Sequence, residues 1–207
     1  MKRNMYLKLT FCILLGLAVS PAFAWQPPKP QPFSGDFTQT TDQGKQVTGK
    51  IYFALPKMRL EMNTGGREMI LIIDQSAQTS DVLMPEQHMY MENHTNQDNP
   101  MMRGVKAPTS FDPDHPCGAT ATCNKVGTET INGRVCDKWV NTDSKGTTTA
   151  WIDQSLHFPI KTQNANGSIW QLTNIKEGEP DASVFQVPAG YRKMDIPAMM
   201  GGGRPQR

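Results

Sequence analysis

The chain has 207 residues, with 21 Lys and Arg against 19 Asp and Glu for a net charge of +2. That length is compatible with a single domain of ordinary size. The near balance of charge argues against the basic face that nucleic-acid binding requires, and no apolar run after the first 24 residues is long enough to span a bilayer.

Residues 1–24 carry the three parts of a secretory signal: Lys2, Arg3 and Lys8, an apolar run over residues 9–19, and Ala22 and Ala24 in the small-residue pattern of a cleavage site. Cys12 follows Phe11 inside the apolar run, which is not the setting of a lipidated cysteine. Cleavage after Ala24 leaves 18 basic and 19 acidic residues, a net charge of −1. The signal implies export from the cytoplasm. Residues 25–32 hold Pro27, Pro28, Pro30 and Pro32 and read as an extended linker. The domain is expected over residues 33–194, followed by a disordered Gly-rich tail over residues 195–207.

Within the domain, β-forming runs recur at short spacing with turn signals between them, the pattern of a sandwich or barrel. Strands are expected at residues 33–40, 47–54, 58–62, 67–74, 79–84 and 87–92. The segment from Met69 to Ile73 is continuously apolar, so its strand should be central and covered on both faces. Residues 93–116 are polar and rich in proline and read as a long loop with a short helix near 101–105. Asn132-Gly133 demands a type I′ turn between strands at 126–131 and 134–140. That turn sets Ile131 against Arg134 and Glu129 against Cys136, and continued without interruption it sets Cys123 against Thr142. Further strands are expected at residues 147–153, 159–163 and 168–176, the last two joined as a hairpin.

Three cysteines, Cys117, Cys123 and Cys136, remain after cleavage, so in an oxidising compartment two are expected to pair and one to be left over. Sequence alone leaves the pairing open. Met84, His88, Met89, Met91, His94, Met101 and Met102 cluster within 19 positions, with His115 just beyond. Thioether ligands select Cu(I) and imidazole accepts copper, which makes copper the candidate metal. On a strand His88 and Tyr90 share one face and Met89 and Met91 the other. The workable sets are therefore His88 with His94, or His94 with Met101 and Met102.

Catalytic motifs are lacking: there is no G-x-S-x-G elbow, no phosphate-binding loop and no zinc signature. Asp36, Asp74, Asp81, Asp137 and Asp153 fall at strand ends, where turn chemistry accounts for them. His115 and Cys117 are close in sequence, but prolines bracket the histidine and pairing would silence the thiol.

The runs Leu55-Pro-Lys-Met-Arg-Leu-Glu-Met62, Val82-Leu-Met-Pro-Glu-Gln-His-Met-Tyr-Met-Glu92, Val126-Gly-Thr-Glu-Thr-Ile-Asn-Gly133 and Val184-Phe-Gln-Val-Pro-Ala-Gly-Tyr191 resemble, in this order, a bacterial family of exported proteins of unknown function. That family is similar to the LolA/LolB-like periplasmic lipoprotein carriers. The resemblance implies a mainly β fold, in which one curved antiparallel sheet forms a half-open barrel with one or two short helices or a loop lid. It implies a concave apolar face that shelters a lipid or a lipoprotein acyl chain. Candidate cavity residues are Arg59, Leu60, Ile70, Ile72, Leu83, Met89 and Met91, with Arg59 meeting a polar head group or else pairing with Glu61. The resemblance implies a bacterial source, so the expectation is an exported, monomeric, non-enzymatic binding protein without a cofactor, in the periplasm or the medium of a Gram-negative bacterium. Copper binding through residues 84–117, with His88, His94, Met101 and Met102, is the alternative, beside a protein-interaction module with a filled core.

Overall fold

The computed structural model describes residues 29–94, 123–144 and 146–194. The proposed leader, Met101, Met102, His115, Cys117 and the Gly-rich tail lie outside them. The strands are β1 (Phe33–Thr40), β2 (Gln46–Ala54), β3 (Lys57–Thr64), β4 (Arg67–Asp74), β5 (Thr79–Met84), β6 (Met89–His94), β7 (Cys123–Ile131), β8 (Arg134–Asp143), β9 (Gly146–Asp153), β10 (Phe158–Gln163), β11 (Ile169–Glu177) and β12 (Arg192–Lys193). All belong to one sheet in the order β12-β6-β5-β4-β3-β2-β1-β11-β10-β9-β8-β7. Two meanders, β2 to β6 and β7 to β11, are thus joined by β1 at the centre. Every pairing is antiparallel except that of the short β12, which runs parallel to β6. The sheet is not closed: its two edges are β12 and β7.

Its curvature follows from the aromatic side chains. Phe53 on β2 and Phe158 on β10 are three strand spacings apart, about 14 Å on a flat sheet, yet their ring centroids lie 4.9 Å apart. Phe33 joins both, at 5.6 Å from Phe53 and 5.0 Å from Phe158. The sheet therefore rolls around this cluster, which also takes in Leu156, Ile160 and Leu172, all fully buried.

On β4 the expected double burial holds from Ile70 to Ile73, whereas Met69 at the start of the run is exposed. Leu71 and Ile73 enter the concave core, while Ile70 and Ile72 join Leu83 on the opposite face under Tyr90, Val187 and Tyr191. That outer cover is the C-terminal segment, whose single 3-10 turn (Ala182–Phe185) is capped by the Asp181 carboxylate accepting from the Ser183 amide. It is pinned by Arg59, which donates to the Val184 carbonyl at 3.0 Å, and by the amides of Arg192 and Met194 donating to the carbonyls of His88 and Tyr90.

Two local expectations needed correction. The Asn132-Gly133 turn forms with both residues at positive φ, 50° and 79°, and it sets Ile131 against Arg134 and Glu129 against Cys136. Beyond Gly127, however, a bulge shifts the register by one, so Cys123 faces Asn141 and not Thr142. The strand expected at 87–92 begins instead at Met89, because Pro85–Gln87 form a 3-10 turn that ends on His88 in the left-handed region. Pro85 supplies the fixed φ that such a turn start favours.

Candidate ligand-binding site

Registers on the β1 to β6 side arrange the concave face in three rows. The first runs Phe33, Phe53, Met58, Ile73, Ser80, Asn93, each directly opposite the next, and all six are buried. The second runs Gly35, Ile51, Leu60, Leu71, Val82, Met91 and its side chains are buried except for the partly covered Leu60. The third runs Phe37, Gly49, Met62, Met69 and, across the next ladder, Met84 and Met89. Met84 falls opposite Met69 because Ile70 pairs with Leu83 one step before.

In this third row only Phe37 is buried, and Met69 is 36% exposed. The trough is therefore filled at one end and open at the other. Side chains at the open end are apolar and unbranched, and methionine adapts to irregular shapes. Trp170 on β11 flanks it, stacked on Phe37 with centroids 6.2 Å apart. Beneath the Phe37 ring sits Gly49. A Cβ there would come within 1.9 Å of the Glu61 carbonyl oxygen and 2.7 Å of the Phe37 ring, so the glycine allows both β3 and the ring to close in.

The seven candidate cavity residues do not form one wall. Leu60, Met89 and Met91 belong to the concave rows. Arg59, Ile70, Ile72 and Leu83 lie on the outer face, because alternation along β3, β4 and β5 sends neighbours to opposite sides. Arg59 is 9% exposed and donates to Glu61 at 2.8 Å as well as to Val184. It therefore clamps the C-terminal segment and has no access to the trough.

Of the copper candidates, the described His88 and His94 are separated, and Met101 and Met102 lie outside the described residues. His88 precedes β6 and His94 ends it, six residues of extended chain or about 20 Å apart, so one ion cannot take both. His88 packs against Tyr191, and His94 lies 3.6 Å from Glu92. Among the described residues no group of three or more His, Cys, Asp or Glu is placed to hold a metal. The methionine row passed unnoticed in sequence because positions 62, 69, 84 and 89 have no period; only strand registry aligns them.

Charged groups elsewhere serve the scaffold. Asp153 is 1% exposed and accepts from Arg134, from the amides of Ser155 and Leu156, and from the Ser155 hydroxyl. Burial pushes its carboxyl up, but these donors together outweigh it and hold the group below the usual carboxylate range. Arg134 also donates to Glu177 at 2.6 Å. Asp81 is raised by burial and by Glu92 directly opposite, with Lys193 offsetting part of this. Cys136 is a free, buried thiol pushed up to about 11, by burial first and then by nearby Asp153. Cys123 is disulfide-bonded.

Among the described residues no helix is long and apolar enough to cross a membrane. No curated protein sequence matches the chain. Solved structures do match its fold. An uncharacterized conserved protein from Thermus thermophilus is 10% identical over 80% of this chain and 90% of that one, with a TM-score of 0.56. A structure of the Pseudomonas aeruginosa MucA/MucB complex matches at 16% identity and TM-score 0.55 over 80% of this chain, which spans 59% of that one. A LolA superfamily protein from Nitrosomonas europaea matches at 8% identity over 77% of this chain and 92% of that one, with a TM-score of 0.36, too loose an overlap to argue from. The model of one family matches residues 33–157, more than half of the sequence, and the chain belongs to it: the DUF4412 family, a domain of unknown function.

Proposed function

We propose that the protein is exported and binds one apolar ligand, such as a lipid or a lipoprotein acyl chain, in the open end of the trough without chemistry. One observation carries this. Burial along the concave face is graded, from an aromatic plug at Phe33, Phe53 and Phe158 to an apolar mouth where Leu60, Met62, Met84, Met89 and Trp170 are partly covered and Met69 is exposed. A core that only filled itself would have no use for a methionine row at its rim. Each methylene taken up contributes about 0.8 kcal/mol, so roughly ten of them correspond to micromolar affinity before the ordering cost of binding. Export rests on the leader in the sequence. A binding role without catalysis is supported by the buried Arg59 and Asp153 and the half-buried Arg134, whose hydrogen bonds are spent on the scaffold.

Native mass spectrometry of protein purified from the periplasm without detergent tests the proposal, together with titration of a fluorescent fatty acid. A lipid-sized adduct and saturable probe binding are expected. Met69→Glu, at a position that is 36% exposed, should weaken the probe without lowering the melting temperature. A bare chain that binds no probe would leave the trough as a core and defeat the reading.

A further inference from the structure

The same rim offers a chemistry that an acyl chain does not use. Met62 and Met69 are direct cross-strand partners, as are Met84 and Met89. Met69 and Met84 line one open depression of about 950 Å³, together with Lys45, Arg67, Glu68 and Glu86. Four thioethers thus stand side by side on adjacent strands β3, β4, β5 and β6, on one face and at one level. Strands are spaced about 4.8 Å apart, and directly opposite side chains start about 5 Å apart at Cβ. Flexible methionine side chains therefore span the interval to a shared ion from three neighbouring strands.

We propose that Met62, Met69 and Met84, with Met89 at the end of the row, form a site for a soft monovalent cation, Cu(I) in kind. Thioether sulfur is soft and uncharged, which selects Cu(I) over hard or divalent ions. The surrounding charges agree: Glu68 and Glu86 are balanced by Lys45 and Arg67, so the depression offers no net negative charge to attract a divalent ion. The inference stands apart from the apolar-ligand reading, because an acyl chain needs only apolar surface, which leucine supplies, whereas the cation needs sulfur.

The test is anaerobic titration of the exported protein with Cu(I) against bicinchoninate, repeated with Ag(I) while following methionine methyl resonances. Wild type should withdraw one equivalent of Cu(I), and Ag(I) should move the methyl signals of the row. Met69→Leu with Met84→Leu should weaken Cu(I) binding by about tenfold or more while leaving the melting temperature unchanged, which shows that the fold is intact. His88→Ala with His94→Ala should bind as wild type does. Wild-type affinity in the double leucine variant would overturn the site, as would failure of wild type to compete with bicinchoninate. Loss of Cu(I) only in Met101→Leu with Met102→Leu would overturn it too, by moving the ligands elsewhere. If probe binding fails while Cu(I) binding holds, the apolar-ligand reading falls and this one stands.

Discussion

Gly49→Ala sets two effects of opposite sign against each other. Gly49 lies in the interior of β2 and is not among the residues with positive φ, so chain entropy alone predicts that alanine stabilises by about 0.4–1 kcal/mol. Sterics predict the reverse, since the new Cβ would lie 1.9 Å from the Glu61 carbonyl oxygen and 2.7 Å from two atoms of the Phe37 ring. The ring has little room to yield, being 3% exposed and stacked on Trp170. The carbonyl belongs to β3, so relief requires β2 and β3 to separate by about 1 Å, with overpacking of about 1–3 kcal/mol and a weakened ladder bond worth about 1 kcal/mol. The net is a destabilisation of about 2–3 kcal/mol, which for a domain of this size lowers the melting temperature by roughly 4–12 °C. Calorimetry or far-ultraviolet circular dichroism reads this directly. Adding Phe37→Leu should recover only part of the loss, because the carbonyl remains. An unchanged or raised melting temperature for Gly49→Ala would refute the close approach of β3 and the Phe37 ring at Gly49.

Further outcomes follow from the buried polar groups. Asp153→Asn should cost about 2–3 kcal/mol at pH 7, below the usual figure for breaking a buried pair because Arg134 retains Glu177. The folded-state pKa of Asp153 is depressed, so its contribution is present above the unfolded value and disappears as pH falls through the folded one. Urea midpoints of wild type and variant should therefore converge in strongly acidic solution; a constant gap down to about pH 2 would contradict the assignment. Cys136, pushed up to about 11, should resist iodoacetamide at about pH 8 until the protein unfolds. Non-reducing peptide mapping should find Cys123 in a disulfide and Cys136 reduced, and a bond to Cys136 would count against its free thiol.

Local chemistry with a single steric solution was readable in the sequence. Asn132-Gly133 requires two positive φ values and so fixed its hairpin, and of the apolar run from Met69 to Ile73 the four residues from Ile70 onward are buried, whereas Met69 at its start is exposed. Where one residue altered the count, the sequence misled. Gly127 allows the bulge that moves Cys123 from Thr142 to Asn141; a glycine inside a strand is itself a bulge signal. Pro85 started a turn that took His88 out of β6. The site was less legible because it is a property of registry. Arg59 and Leu60 are neighbours in sequence and stand on opposite faces, whereas Met62 and Met89 are 27 positions apart and share a row.

The position of β1 has a consequence for the order in which the protein can be made. Phe33 pairs with Glu177, 144 residues later, and at about 5–20 residues per second synthesis takes roughly 7–29 s to bring the partner out. Until β11 arrives, β1 is an outer strand carrying Phe33 and Phe37, although in the finished sheet it is central. The family match ends at residue 157, before β10 and β11. A fragment cut at that boundary would keep β1 in its waiting state, and it should self-associate through the unpaired strand.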